Sequence, residues 1–412
     1  MSLRRLVLVL AAASLSAACS DDVDPDAVCA EVGVLCTVAG DGDPGLGAVG
    51  VDAREGSLYL PMDVGLDLSG GVYVVDWNNH RVLQIDDAGR AQPFIGSGAL
   101  GDGLPKGIDT DARAAAIYHP TDVVFTSGGG APGAARVYVA LWHNDAVGAV
   151  DAAGKLSVAV GSGEVGFAPD GAKAATAAVY LPSKLALAPD GRLCFSEAGN
   201  QRVRCVQPDG SFATIMGPKD GAPCVGASCV GAVLTPAFDG DGGPASSARI
   251  ALPAGNSAVP AGGIAFGPDG ALYLADTDNH RVRRLGPDGL VTTVAGSGPT
   301  VADAPAAATA TVPLGDGGPA TAARLASPSD VAIDADGSVY LADRDHDCVR
   351  VVDPGGVIRT VVGVCGQRGS SGDRGPATSA RLNRPYGVAI RSDGRLYIAD
   401  THNHRVRAVR LR

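Results

Sequence analysis

The chain has 412 residues, a formal net charge of -11 and 46% apolar residues. This charge argues against the phosphate backbone of a nucleic acid as partner, because there is no basic excess to release counterions. Glycine (58) and proline (27) make up about a fifth of the chain, which favours many turns over long helices.

The N-terminus has the pattern of a targeting segment. Arg4 and Arg5 precede an apolar run over 6–13, which is too short to cross a bilayer. The run leads to LSAAC at 15–19 and resembles a bacterial lipoprotein signal, although Ser16 stands where leucine is more usual. The resemblance implies cleavage before Cys19 and lipidation of its sulfur. Plain secretion with cleavage nearby is the alternative.

This interpretation divides the chain into a signal peptide (1–18), a lipidated acidic tether (19–35) and a folded domain (36–412). The expected location is the bacterial cell envelope, and the outer membrane in a Gram-negative cell, because Ser20 follows the lipidated cysteine. The lipid on Cys19 would then be the attachment to the membrane.

Eight further cysteines suit an exported, disulfide-bonded protein. The simplest scheme pairs them in sequence order: Cys29–Cys36, Cys194–Cys205, Cys224–Cys229 and Cys348–Cys365. No CxxC pair with a partner pair of histidines favours a zinc site instead.

One theme recurs six times, in the following segments: GVYVVDWNNHRV (71–82), RVYVALWHNDAV (136–147), RLCFSEAGNQRV (192–203), ALYLADTDNHRV (271–282), SVYLADRDHDCV (338–349) and RLYIADTHNHRV (395–406). Each copy alternates apolar and polar residues with period two and is followed by a short turn, which predicts antiparallel strands. A further strand precedes each copy. Four strands per unit and six units predict a six-bladed β-propeller, an all-β fold.

The sixth copy ends without a fourth strand, and a matching strand, CTVAG, stands at 36–40 before the first copy. We therefore expect this N-terminal strand to complete the last blade and close the ring, which removes an open sheet edge.

These copies resemble NHL repeats, of the kind found in teneurins and in bacterial envelope lipoproteins, and the resemblance covers 36–412. DGGPA…AR at 241–249 and 316–324 resembles the long-loop signature of bacterial NHL proteins. The family implies a propeller that usually binds a ligand or partner. Strand order predicts that the NHR loops and these long loops share one face, where we expect function.

Four hairpins are predicted to hold a structural acid–arginine clamp across the NHR loop. The clamps are Asp76 with Arg81, Glu197 with Arg202, Asp276 with Arg281, and Asp400 with Arg405. Blade 2 has lost both members, Leu141 and Ala146, as a structural pair predicts.

The candidate ligand-binding residues are Trp77, Trp142, His143 and Asn144. The two tryptophans of the chain occupy the same loop position in neighbouring blades, and exposed tryptophans commonly anchor ligands. Packing beneath the loops is the alternative.

No catalytic residue, cofactor or metal is predicted. His80, His280 and His404 are expected to be spread around the rim, which leaves His119 as a lone imidazole near the axis and too few ligands for zinc. The leading hypothesis is an envelope-anchored, monomeric module that binds a protein, peptide or glycan through the long-loop face. The alternative is a metal-dependent propeller enzyme of the lactonase, hydrolase or lyase type with an axial site.

Overall fold

The computed structural model describes residues 29–101, 110–127, 135–219, 224–225, 237–255, 259–298 and 313–412. These residues form 28 strands and short 3-10 turns. No helix among them is long and apolar enough to cross a membrane.

The strands are short because alternating apolar and polar residues end at glycine-containing turns. The first fourteen are β1 (Val34–Ala39), β2 (Pro61–Leu66), β3 (Val72–Asp76), β4 (Arg81–Ile85), β5 (Ala91–Ile95), β6 (Thr110–Asp111), β7 (Pro120–Phe125), β8 (Ala135–Leu141), β9 (Ala146–Asp151), β10 (Lys155–Val160), β11 (Gly166–Phe167), β12 (Pro182–Leu187), β13 (Leu193–Glu197) and β14 (Arg202–Val206). The others are β15 (Phe212–Met216), β16 (Cys224–Val225), β17 (Ile264–Phe266), β18 (Leu272–Asp276), β19 (Arg281–Leu285), β20 (Val291–Ala295), β21 (Pro328–Ile333), β22 (Val339–Asp343), β23 (Cys348–Val352), β24 (Ile358–Val362), β25 (Gly375–Pro376), β26 (Gly387–Ile390), β27 (Arg395–Asp400) and β28 (Arg405–Arg410).

Six antiparallel sheets form the blades of the ring. From the inner to the outer strand, blade 1 is β2-β3-β4-β5, blade 2 is β7-β8-β9-β10, blade 3 is β12-β13-β14-β15, blade 4 is β17-β18-β19-β20, blade 5 is β21-β22-β23-β24, and blade 6 is β26-β27-β28-β1. The predicted six-bladed propeller is confirmed.

The N-terminal strand closes the ring as expected. β1 pairs with β28, with Cys36 opposite Ala408, so it supplies the outer strand of blade 6. The strand runs from Val34 to Ala39, slightly earlier than the predicted 36–40. It therefore begins inside the segment assigned to the tether.

The DGGPA segments do not lie with the NHR loops, which corrects the sequence prediction. Each crosses to the outer edge of the following blade, where Pro244 pairs with Leu290 and Pro319 with Val357. Leu290 and Val357 directly follow the short turns, at the opposite end of the blade from the NHR loop. An unpaired outer edge is a site for unwanted strand pairing, and these segments cover it.

Apolar packing is concentrated between neighbouring blades. Six clusters of buried residues each join strands from two adjacent blades. Between blades 1 and 2, for example, Val75 and Val82 pack with Val123 and Val139. Blades therefore stabilise one another, as in other repeat folds. We call the ring face with the NHR loops the NHR face, and the other the short-turn face.

Candidate functional site

The fourth residue of every NHR loop joins its blade to the next one. This residue adopts a left-handed backbone conformation, with φ between 45° and 56° in all six loops. Its side chain accepts the backbone N–H of the residue that leads into the next inner strand. The acceptor–donor pairs are His80 with His119, Asp145 with Leu181, Gln201 with Leu252, His280 with Ser327, Asp347 with Arg384, and His404 with Leu60. The repeated histidine is thus one of three side-chain types with the same structural function.

The predicted clamp is present in blades 1 and 3. Asp76 lies opposite Arg81 in the hairpin and forms an ion pair of 2.8 Å with it. Glu197 and Arg202 are paired in the same way at 2.6 Å. All four side chains are buried. A buried pair of this kind needs further hydrogen bonds, and Asp76 also accepts the N–H of Tyr59.

In blades 4 and 6 the predicted ion pair is wrong although the strand register is right. Asp276 faces Arg281 across the hairpin, but its buried carboxylate lies 3.5 Å from Arg283 instead. Arg281 donates to backbone carbonyls and stacks over Phe238.

Blade 6 behaves like blade 4. Asp400 lies 3.6 Å from Arg407, whereas Arg405 donates to the carbonyl of Asp41. The arginine two residues further along β19 and β28 points inward beside the acid, so it replaces the predicted partner.

These inward-pointing arginines belong to a network that sequence reasoning missed. In blades 3 to 6 each one also binds an aspartate of the segment preceding its blade, and that aspartate accepts a threonine hydroxyl from the outer strand. The Arg–Asp–Thr sets are Arg204–Asp170–Thr214, Arg283–Asp241–Thr293, Arg350–Asp316–Thr360 and Arg407–Asp373–Thr37. The signal in the sequence is the last arginine of RVR or CVR, together with the aspartate of DGGP, DRGP or PDGA before the blade.

The most unusual part of the NHR face lies between blades 1 and 2. We call it the imidazole patch, and it consists of Trp77, His80, Tyr118, His119 and His143. The ring of Trp77 stacks on His119 with centroids 4.3 Å apart, and Tyr118 lies 4.9 Å from His143. All five side chains are half-buried. The histidines converge more than the sequence analysis expected, because His143 and His119 both turn toward the same junction.

The imidazoles of the patch are neutral at physiological pH. The Nδ1 atoms of His119 and His143 lie 2.5 Å apart, so the N–H of one imidazole donates a hydrogen bond to the other. Burial, followed by the charges that His143 and His80 would carry, lowers the pKa of His119 to about 3. Burial also lowers the pKa of His143 and of His80. The patch therefore offers uncharged hydrogen-bonding groups beside an indole face.

Two predicted ligand-binding residues lie in the core, which corrects the prediction for them. Trp142 is fully buried and packs with Tyr180 and Leu181 of blade 3. Asn144 is buried, and its Oδ1 accepts the N–H of Tyr118. Asn144 thus replaces the acid that blade 2 lacks. Trp77 and His143 keep accessible surface and remain candidates.

A second polar cluster closes the channel along the ring axis. Lys184 of blade 3 forms ion pairs with Asp63 of blade 1 and, at 3.0 Å, with Asp330 of blade 5. Asp122 of blade 2 accepts the N–H of Leu185 beside them. All four charged side chains are buried, so the channel is blocked at this level.

The two remaining blades have glycine at the same inner-strand position. A Cβ on Gly263 would lie 2.0 Å from a carboxylate oxygen of Asp330, and one on Gly387 would lie 2.4 Å from Asp63. The sequence analysis placed only His119 near the axis and did not predict the convergence of Asp63, Asp122 and Asp330 there. His119 leads into its inner strand, three residues before Asp122.

The axial carboxyls are protonated more readily than ordinary aspartates. Burial raises the pKa of Asp63 and of Asp330 to about 7, although Lys184 opposes the shift. Burial also raises the pKa of Asp122. The carboxylates raise the pKa of Lys184 against the effect of its burial, so this residue stays charged.

Within the described ranges, no group of three or more His, Cys, Asp or Glu side chains has an arrangement that could hold a metal ion. In the axial cluster the Lys184 ammonium contacts the carboxylates of Asp63 and Asp330, where a cation would bind.

Three predicted disulfides are present: Cys29–Cys36, Cys194–Cys205 and Cys348–Cys365. Cys194 and Cys205 face each other in the register that the sequence predicted. The Cys224–Cys229 bridge, the lipidation site Cys19 and the signal peptide involve residues outside the described ranges.

Two family models match the sequence. The model of the teneurin NHL domain matches residues 312–371, and that of the NHL repeat matches 261–285 and 382–408. Teneurin-m of Drosophila melanogaster is 27% identical over 264 residues, which cover 60% of this chain and 8% of that protein. The chain thus matches only a small part of this relative.

Solved structures share the fold at low sequence identity. A structural genomics protein of unknown function from Bacteroides thetaiotaomicron has a TM-score of 0.59 and 16% identity, over 91% of this chain and 75% of that one. An auxiliary nutrient binding protein from Bacteroides ovatus has a TM-score of 0.57 and 15% identity, over 92% and 76%. With its six repeated hairpins and its ring closed by β1, this chain is a six-bladed β-propeller that contains NHL repeats.

Proposed function

We propose that this propeller is a non-enzymatic recognition module that binds a glycan or peptide through the imidazole patch on its NHR face. The observation that carries the proposal is the convergence of Trp77, His119 and His143 at one junction. In the regular blades the position of Trp77 is threonine or arginine and that of His119 is leucine, serine or arginine, whereas the position of His143 is aspartate in blades 4 and 5 and His402 in blade 6. An apolar ring surrounded by a few polar groups is typical of ligand sites.

The patch favours an uncharged part of the ligand. Its imidazoles are neutral, because burial lowers the pKa of His119 and of His143. They can donate or accept hydrogen bonds, and the indole of Trp77 offers a flat apolar surface. A structural neighbour described as a nutrient binding protein is consistent with this proposal.

The test uses soluble protein that begins at Ser20, with its disulfides intact. Binding to a glycan array and to a peptide library is compared for the wild type, Trp77→Ala and His143→Ala. The matched control is Asp278→Ala, because Asp278 is exposed and occupies in blade 4 the loop position of His143. We expect both patch variants to lose binding by about tenfold or more while the control keeps it. Unchanged binding in both patch variants would contradict the proposal.

The second candidate function is a metal-dependent enzyme of the lactonase, hydrolase or lyase type. Asp63, Asp122 and Asp330 are carboxylates of the type that binds cations, but the Lys184 ammonium occupies the place of a cation beside Asp63 and Asp330, so this function stands second. Metal analysis of the purified protein decides between the two. A stoichiometric ion that is lost in Asp330→Asn would support the enzyme.

We also propose that the chain is attached to the cell envelope through lipid on Cys19. The support is the sequence pattern of residues 1–19 and the three disulfides, which suit an oxidising compartment. Cys19→Ser should move the protein from the membrane fraction to the soluble fraction. A protein that stays membrane-bound after this change would contradict lipid attachment.

A further inference from the structure

A groove between blades 1 and 2 opens near the short-turn face, away from the imidazole patch. We call it the aromatic groove. It has a volume of about 700 Å³, within the range of small-ligand sites. Tyr73, Phe94 and Phe125 line its apolar wall, and Asp111, Arg113 and Asp151 lie at its rim.

The three aromatic rings of the groove form one surface. The ring of Tyr73 lies 4.7 Å from that of Phe94 and 4.4 Å from that of Phe125. Phe94 and Phe125 are half-buried, so part of each ring faces the groove. The hydroxyl of Tyr73 donates to Asp67 and holds this ring in place. The groove thus contains a fixed, partly exposed aromatic platform.

The fold does not require aromatic residues at these positions. In the matching junction between blades 4 and 5, the residues equivalent to Phe94 and Phe125 are Val294 and Ile333. The groove between blades 6 and 1 has Val38 in place of Phe94 and is lined by Arg391 and Arg395. Blade 4 has Phe266 at the position of Phe125, but its junction with blade 3 has Ile215 in place of Phe94. The pair of phenylalanines is therefore specific to the junction of blades 1 and 2.

The rim of the groove combines hydrogen-bond donors and acceptors with little net charge. Asp111 accepts the N–H of Arg113, and one oxygen of Asp151 accepts the N–H groups of Ala153 and Lys155. Among the described residues, each aspartate uses one oxygen in its own turn, which leaves the other for a ligand. With the exposed guanidinium of Arg113, the rim can bind groups that both donate and accept hydrogen bonds.

We propose that the aromatic groove is a second binding site, and that its ligand is an uncharged sugar ring. The C–H face of a sugar packs on an aromatic surface, while its hydroxyl groups donate to carboxylates and accept from a guanidinium. Arg113 would repel a strongly cationic ligand, and Asp111 and Asp151 would repel a strongly anionic one. This site is independent of the imidazole patch.

The test measures binding of glucose, galactose and N-acetylglucosamine to the soluble chain by saturation-transfer NMR. Benzyltrimethylammonium and phenylacetate serve as a cation and an anion of similar size. The double variant Phe94→Val/Phe125→Ile carries the residues of the junction between blades 4 and 5, so it should fold. Phe266→Ile is the matched control, because Phe266 occupies the position of Phe125 in blade 4.

We expect at least one sugar to bind, with about tenfold weaker binding in the double variant and no change in Phe266→Ile or Trp77→Ala. Asp151→Asn, which keeps the turn, should weaken binding while Asp353→Asn in blade 5 does not. Failure of all three sugars to bind, or preferred binding of a charged probe, would overturn the proposal. Loss of sugar binding in Trp77→Ala instead would assign the sugar to the imidazole patch.

Discussion

Blades 4 to 6 and blades 1 and 2 have the same strand order but hold their loops in different ways. In the regular half, a buried arginine joins the hairpin acid to an aspartate of the preceding segment, as Arg350 joins Asp343 to Asp316. Blades 1 and 2 have Leu83 and Gly148 at that position. There the apolar and aromatic side chains between the blades supply much of the packing.

This difference shows that the fold can form with different interactions at different junctions between blades. A repeated network of charges fixes each loop in the regular half. At the junction of blades 1 and 2, Leu83 and Gly148 stand in place of the inward-pointing arginine, and aromatic rings lie near both faces. The imidazole patch and the aromatic groove are both located there, which concentrates the candidate binding surfaces at one place in the ring.

The largest effect should come from removing the arginine of a regular blade. Arg350→Leu introduces the residue type of Leu83 and leaves the buried carboxylate of Asp343 without its guanidinium. Two backbone carbonyls also lose a donor. We expect a loss of about 3–5 kcal/mol in the free energy of unfolding, measured by urea denaturation. Arg359→Leu on the exposed side of β24 is the control and should change stability little. A small effect of Arg350→Leu would mean that the network does not distinguish the two halves.

A comparable experiment in blades 1 and 2 uses the two tryptophans, Trp77 and Trp142. Trp142→Thr replaces a fully buried ring by the residue found at this position in blades 4 and 6. We expect a loss of about 3–5 kcal/mol, as for other large-to-small changes in a core. Trp77→Thr should cost less stability because this ring is half-buried, but it should weaken ligand binding. Equal loss of stability in both variants would argue that Trp77 is also a core residue.

How far the sequence predicts this molecule depends on whether a feature repeats. The six hairpins, the ring closure and the facing cysteines Cys194 and Cys205 follow from a period that can be read directly. The axial cluster does not, because Asp63 and Lys184 become neighbours only when blades 1 and 3 are placed around a closed ring.

The burial of Trp142 shows the same limit for the candidate site. Trp77 and Trp142 occupy one loop position, yet their exposure depends on the blade that follows each of them. Trp77 meets His119 at the surface, whereas Trp142 packs against Tyr180 and Leu181. The sequence identified the position, and packing with the next blade decided which ring stays accessible.

A smaller effect is expected at the bridges between blades, where histidine, aspartate or glutamine accepts the same hydrogen bond. His404→Ala leaves the N–H of Leu60 without its acceptor, which should cost about 1–2 kcal/mol. His404→Gln should be close to the wild type, because Gln201 accepts the equivalent N–H in blade 3. Thermal unfolding of the two variants measures this. Equal loss in both would show that the imidazole has a function beyond accepting this hydrogen bond.

The smallest expected effect is a difference in pH dependence between two neighbouring bridges. Burial lowers the pKa of His119 from 6.5 to about 3, so the unfolded chain binds a proton that the folded chain does not. Wild-type stability should therefore fall, relative to His119→Leu, as the pH decreases below about 6.5. Leucine stands at this position in blades 1, 3 and 4 and should fold normally.

At Asp145 the pH dependence of stability should have the opposite sign. Burial raises its pKa from 3.8 to about 7, so the folded chain keeps a proton that the unfolded chain has lost. This contribution to stability is complete below pH 3.8 and disappears as the pH rises through 7. The free energy of unfolding of Asp145→Asn should therefore increase relative to that of the wild type between about pH 4 and pH 8. Asparagine can still accept the N–H of Leu181. Urea midpoints across this range measure both slopes, and slopes of the same sign would contradict the burial that the structure assigns to one of the two residues.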